Sequence, residues 1–257
     1  MTSYLIIFLF GAVIGSFLNV CIYRLPRGES VAWPASSCPS CRQGIAYYDN
    51  IPIASYLWLR GRCRVCEVTI SPQYPVVEAV TASAYVLLFW WFGFTAEAWA
   101  YALLTSGLIV ITGTDLSHTM IPDVVTLPGI VAGLLCAAIV LPISVVDSLL
   151  GLLVGGGILW FLAWISPYLF GKEGMGGGDI KLMAMVGAFL GWQPVLLAIM
   201  LGSLLGSLVG GGLMMSGVLR RGQYIPFGPF LALGSLLALF FHQPLFTWYW
   251  TLLDLPQ

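Results

Sequence analysis

Charge is the scarcest thing in this sequence: only 8% of its 257 residues are charged, where a soluble domain would carry about 25%. So few charges cannot cover a water-facing surface, so the bilayer is the main solvent, and mean hydropathy stands at +0.94. A net charge of −1 supplies no basic field to attract phosphates, which excludes nucleic acid as a partner. Histidine is nearly absent too. His118 and His242 are the two present and are expected on opposite sides of the membrane, which leaves Ser-His-Asp catalysis unsupported. The N-terminus lacks a basic leader region and a small-residue cleavage site, and its apolar stretch runs on into Ser16 and Asn19. It therefore reads as a first membrane span rather than a removable signal. Internal repeats are not obvious.

What is present in quantity is apolar sequence. Stretches able to cross about 30 Å of hydrocarbon fall at roughly 4–22, 76–94, 97–114, 124–142, 148–170, 179–193, 195–218 and 227–242. The sixth is short, and Pro226 and Pro229 interrupt the start of the eighth. Glu97 alone separates the second from the third, which predicts a tight helical hairpin. Basic residues test this layout, because Lys and Arg collect on the cytoplasmic side. With eight spans and the N-terminus outside, Arg24, Arg27, Arg42, Arg60, Arg62, Arg64, Lys172, Lys181, Arg220 and Arg221 all fall on or beside cytoplasmic segments. Glycines four apart at Gly11/Gly15, Gly151/Gly155 and Gly202/Gly206/Gly210 predict close helix–helix contacts.

From Arg24 to Pro75 the composition turns polar, Pro-rich and Cys-rich. Cys38-Pro-Ser-Cys41 and Cys63-Arg-Val-Cys66 are two C-x2-C pairs with 21 residues between them. Each pair can chelate from one turn, and four thiolates satisfy tetrahedral zinc with no open position, so the expected metal is structural. Disulfides are disfavoured in the cytoplasm, and no βαβ pattern surrounds either pair to suggest a redox site. A module this small needs such a staple. Cys21 and Cys136 lie in apolar spans and read as inert core residues.

Carboxylates in or beside a span are functional candidates by default. Asp147, after Pro142, reads as a helix cap. Glu78, shortly after Pro75, has a capping reading and a functional one, equally weighted. Asp115 ends the third span and Asp179 opens the sixth, so both are expected at the cytoplasmic boundary at similar depth. Two carboxyl groups that meet in a desolvated site share a proton. One can then take a proton from water while the other donates to a peptide carbonyl. The run Gly174-Met175-Gly176-Gly177-Gly178 before Asp179 is not expected to continue a helix, and it offers backbone to pair with an extended substrate. Lys181, two residues on, points away from Asp179 on a helix and reads as a snorkelling residue or a direct participant. Asp123 reads as a helix cap in Ile121-Pro122-Asp123. His118 could touch Asp115, but a solvated loop position is the simpler expectation.

Taken in order, these segments resemble the type IV prepilin peptidases of the bacterial inner membrane. The resemblance rests on Gly15-Ser16-Phe17-Leu18-Asn19-Val20 with Tyr23-Arg24-Leu25-Pro26, both C-x2-C pairs, and Tyr74-Pro75-Val76-Val77-Glu78. It continues through Asp115 with Ile121-Pro122-Asp123, Gly174 to Lys181, and Ile225-Pro226-Phe227-Gly228-Pro229. It implies cleavage of the basic leader of prepilins and pseudopilins on the cytoplasmic side, after a glycine. It also implies N-methylation of the new terminus with S-adenosylmethionine. Asp115 and Asp179 match the family's catalytic aspartates, and the glycine run matches its GxGD motif. Gly61 matches a position linked to methylation, although a turn residue presenting Cys63 explains it as well. With Glu78 it is a possible methyltransferase residue, but no soluble-type glycine fingerprint for the methyl donor is present.

The expected fold is an all-α polytopic membrane protein of about eight transmembrane helices, with a small zinc-stapled cytoplasmic module between helices one and two. Its parts would be a first helix at 1–23, the four-cysteine zinc module at 24–75 and a seven-helix membrane domain at 76–257. Both termini would be periplasmic, and the partners would be pilin-like substrates and membrane lipid. The competing class is a proton- or cation-coupled transporter using Asp115 and Asp179 as a relay. Transporter carboxylates, however, usually sit near the bilayer midplane.

Overall fold

The computed structural model describes residues 2–171, 175–218 and 225–252. Among them are α1 (Thr2–Arg24), α2 (Ala54–Trp58), α3 (Gln73–Phe92), α4 (Ala96–His118), α5 (Asp123–Ile139), α6 (Val145–Phe170), α7 (Gly177–Leu190), α8 (Trp192–Met215) and α9 (Gly228–Leu252). Each of the eight apolar runs is a helix. Six helices (α1, α3, α4, α6, α8 and α9) are long and apolar enough to cross a membrane. At 1.5 Å per residue the 17 residues of α5 and 14 of α7 fall short of the hydrocarbon thickness. Lys172, Gly174, Arg220 and Arg221 lie outside the described residues.

The chain divides into two compact units, one through Val110 and one from Ile111, within α4. In the first unit α1 lies tightly on α3. A Cβ at Gly11 would sit 2.8 Å from the Ala82 Cα, and one at Gly15 would sit 2.7 Å from the Glu78 Cα. These glycines let the two backbones meet, as small residues do between membrane helices. The Asn19 amide is buried but satisfied, donating to the Gly15 and Tyr74 carbonyls at 3.3 and 3.0 Å. Tyr85 and Ser106 hydroxyls bond α3 to α4 at 2.9 Å.

The segment between α1 and α3 holds two knuckles of the same build. Ser37 bridges Gly44, and Arg62 bridges Thr69. Cys38 donates its N–H to Gln43 and accepts from Arg42, both at 2.9 Å, while Cys63 donates to Val68 at 2.9 Å and accepts from Glu67 at 3.0 Å. Arg42 and Glu67, each following the second cysteine of its pair, share a left-handed backbone (φ 58° and 57°). The sequence shows no repeat here because the repeat is conformational, and only the cysteines mark it. Arg24 ties the segment to the end of α1, donating to the Ser30 carbonyl at 2.9 Å and the Pro34 carbonyl at 2.7 Å. Arg64 pairs with Asp49 through two contacts of 2.7 and 2.5 Å.

In the second unit α7 is the central helix, with every residue from Leu182 to Leu190 buried among α5, α6, α8 and α9. Glycines again permit the close approach. A Cβ at Gly151 would meet the Gly191 Cα at 2.8 Å, and one at Gly202 the Leu231 Cα at 3.0 Å. Ser148 donates to the Ala188 carbonyl at 2.5 Å. The start of α6 is a capping box: the Ser144 hydroxyl accepts from the Asp147 N–H at 3.0 Å and donates to its carboxylate at 2.7 Å.

Two helix starts differ from expectation. Gly177 and Gly178 form the first turn of α7 rather than a non-helical loop, because a short helix clamped on all sides draws its stability from packing rather than propensity. Glu78 sits in the second turn of α3, which begins at Gln73, so it does not cap that helix.

Candidate active site

Asp115 lies near the end of α4 and is 3% exposed, while Asp179 is the third residue of α7 and 4% exposed. Both acids face one place in the second unit, since Ile121 lies against Gly178, next to Asp179, and against Gly228, whose N–H bonds Asp115. One partner of Asp115 is a backbone donor: the Gly228 N–H gives Oδ2 a bond of 2.9 Å. Gly228 opens α9, so this is an unsatisfied N–H of a helix start turned onto an anion. Space there is minimal, since a Cβ on Gly228 would lie 2.7 Å from the Asp115 Oδ2. Asp179 is held through its own N–H, which donates to the Gly176 carbonyl at 3.2 Å. Gly176 is the extended residue before the helix.

Ile121 closes this constellation. Its Cβ would stand 2.7 Å from a Cβ at Gly178, and its Cδ1 would stand 3.3 Å from one at Gly228. Just beyond, Lys181 grips both carboxylate oxygens of Asp123 at 2.7 Å. Lys181 therefore ties α7 to the start of α5. Asp123 is the first residue of α5 and makes no cap bond. His118 ends α4, exposed, with Nδ1 2.9 Å from the Ser117 hydroxyl. Gly174 lies outside the described residues.

Glu78 and Gly61 belong to the first unit. Glu78 is buried and accepts the Ile53 N–H at 2.7 Å together with a Ser16 side-chain bond. Ile53 carries a left-handed backbone (φ 62°), costly for a β-branched residue. Gly61 is also left-handed (φ 68°), and a Cβ there would strike the Tyr56 ring at 2.9 Å. Its carbonyl accepts from Ile70 at 2.8 Å, beside Cys63.

The four sulfurs of Cys38, Cys41, Cys63 and Cys66 lie within 4.8 Å of one another, and those of Cys38 and Cys66 are 3.8 Å apart. Tetrahedral zinc with Zn–S bonds of about 2.3 Å needs sulfurs about 3.8 Å apart, so the residues fit the metal. Backbone N–H groups of Cys66 and Val65 draw the Cys63 thiol down to about 7. Cys66 accepts the Val68 N–H, yet desolvation and the neighbouring thiols push it up to about 11.

Comparison with known proteins gives the family. Residues 9–92 match the bacterial Peptidase A24 N-terminal domain, and residues 102–211 match the type IV leader peptidase family. A prepilin leader peptidase/N-methyltransferase of Aeromonas hydrophila is 39% identical over 96% of this chain and 93% of its own length. The chain belongs to the type IV leader peptidase family. Proteins of the same description from Pseudomonas aeruginosa and Burkholderia pseudomallei are 39% and 34% identical, over 90% and 92% of this chain and 88% and 84% of their own. No solved structure matches. The leader-peptidase match spans Asp115 to Lys181, and the N-terminal match spans the cysteines and Glu78.

Sequence reasoning missed Gly228, Ile121 and the Lys181–Asp123 pair as parts of the site. Gly228 and Ile121 both stand in segments that carry the resemblance, but the contacts they make are with backbone and glycine and are not marked in the sequence.

Proposed function

We propose that this chain removes the leader peptide of prepilins and pseudopilins with Asp115 and Asp179, and then methylates the freed amine. The observation that supports this reading most is the pair of buried carboxyl groups from α4 and α7, one of them fixed by the Gly228 N–H. Sharing one proton, the pair acts on a water molecule placed between it and the scissile peptide. One carboxylate accepts a proton as the water oxygen bonds to the carbonyl carbon, and the other carboxyl protonates the carbonyl oxygen. Collapse of the resulting diol breaks the C–N bond, with the proton passing to the departing nitrogen. Gly176, extended and exposed just before α7, offers backbone for an extended strand beside Asp179. The transporter reading gains nothing, because the named relatives are all leader peptidases.

The organisation is read as a first membrane helix at 1–23, a cytoplasmic zinc module at 24–75 and a membrane domain at 76–257, in the bacterial inner membrane with both termini periplasmic. Helices α5 and α7 are read as the remaining crossings. Short α7 is sheathed by other helices, so its polar ends need not reach lipid. Zinc, held by the four cysteines, would staple the module. S-adenosylmethionine, when bound, supplies an electrophilic methyl group to the amine. Among the described residues, an open groove of about 400 Å³ lined by Trp160, Trp164, Tyr168 and Met175 presents no acid to an ammonium or ribose group.

The test is prepilin cleavage in detergent by wild type, Asp115→Asn and Asp179→Asn. Each substitution is expected to lower cleavage at least about 10³-fold without loss of the folded state. Cleavage retained by either variant refutes the paired-aspartate mechanism.

A further inference from the structure

We propose that Ile121 sets the size limit for the substrate residue that contributes the scissile carbonyl. This rests on the leader-peptidase reading and goes beyond it by naming what selects the substrate at the cut.

The side chain of Ile121 is clasped along its length between the first turns of α7 and α9. Its root occupies the place of a missing Cβ at Gly178, and its tip lies against that of Gly228. Being β-branched, it has little rotamer freedom with which to yield. It is half-buried, with one face toward the glycines and the carboxylates behind. A Cβ at Gly228 would meet the Asp115 Oδ2 at 2.7 Å and the Ile121 Cδ1 at 3.3 Å, so Ile121 stands beside that carboxylate with no methyl-sized gap between them. A group brought to Asp115 along this edge meets the Ile121 side chain.

A substrate must bring its carbonyl carbon within reach of both acids. The Cα of that residue is about 1.5 Å from the reacting carbon, so its side chain is the substrate group forced nearest to Ile121. Asp115 and Asp179 are themselves almost fully enclosed. A bulky group there would have to displace Ile121, which the two helix starts hold in place.

The experiment measures kcat/KM for one prepilin carrying Gly, Ala or Val at the residue before the cleaved bond. The enzymes are wild type, Ile121→Val and Ile121→Ala, all as the full chain in detergent. Wild type is expected to favour Gly over Ala at least about tenfold, the usual worth of one methylene in a tight site. In Ile121→Ala the Gly:Ala ratio should fall to about threefold or less, and cleavage of the Val form should appear. Ile121→Val, which keeps the branched shape, should lie between and guards against misfolding of the Ala variant. Equal ratios in all three enzymes overturn the proposal, because a merely structural residue would lower every substrate alike. Failure of wild type to cut any form would instead overturn the leader-peptidase reading, and the proposal with it.

Discussion

Gly228→Ala isolates the backbone contact that fixes Asp115. The added Cβ would lie 2.7 Å from Oδ2 and 3.3 Å from Cγ of Asp115, whereas ordinary contact begins at 3.4 Å. The carboxylate must therefore retreat by about 0.7 Å. It can do so, because it is the end of a short side chain, and the fold should survive. Gly228 is the first residue of the helix, where the interior preference for alanine does not apply, and the Ile121 Cδ1 at 3.3 Å need give way only slightly. Stability should accordingly change by no more than about 1 kcal/mol.

Activity should not survive so well. A displacement of 1 Å at a reacting group can lower a rate by about 10², so a shift of about 0.7 Å should lower kcat by roughly 25-fold. KM should change little, because the substrate's contacts along the leader are untouched. The assay is single-turnover cleavage of a prepilin, paired with thermal unfolding of the same preparation. Wild-type kcat at an unchanged unfolding temperature would refute the claim that Gly228 positions Asp115.

Three further outcomes follow from the same contacts. Purified protein should carry about one zinc per chain, and a chelator or Cys63→Ser should release it and open residues 25–72 to protease, since metal binding and folding are coupled in such modules. Either Asp123→Lys or Lys181→Asp alone should slow cleavage several-fold, and the double exchange should restore most of it. Stability should move by no more than about 1 kcal/mol, because both groups are largely exposed. Glu78→Ala should leave the Ile53 N–H unpaired and destabilise the first unit by about 1–3 kcal/mol, whereas Glu78→Gln, which keeps an acceptor oxygen, should be nearly silent in thermal unfolding.

The helices were legible because hydrocarbon imposes its own length on apolar sequence, so each run of such residues became a helix near its expected place. Their ends were less legible. The apolar pattern predicts that the last run stops at 242, before Pro244, yet α9 carries that proline inside and continues to Leu252. Prolines also sit within α5 and α6 at Pro128 and Pro167. A rule learned in water fails here because neighbouring helices and local adjustments re-satisfy the backbone groups that proline frees. The start of α7 failed in the other direction: glycine propensity argued against helix, and packing on every side prevailed.

The candidate site was legible in its acids and silent in what holds them. A carboxylate in so apolar a chain stands out by its cost, which is why Asp115, Asp179, Glu78 and Asp147 could be picked out together. Their roles could not be separated that way, because each role is decided by a partner. Asp147 finds its partner three residues back in Ser144, and the short spacing makes the cap readable. Glu78 meets Ile53, 25 residues away, and Asp115 meets Gly228, 113 residues away. In both cases the donor is a backbone N–H, which nearly every residue possesses and no sequence pattern marks. Glycine shows the same limit. Gly151 faces another glycine backbone and serves packing, while Gly228 faces a carboxylate and an isoleucine. The two are the same residue type, and only what stands opposite distinguishes a glycine set against backbone from one set against a buried carboxylate.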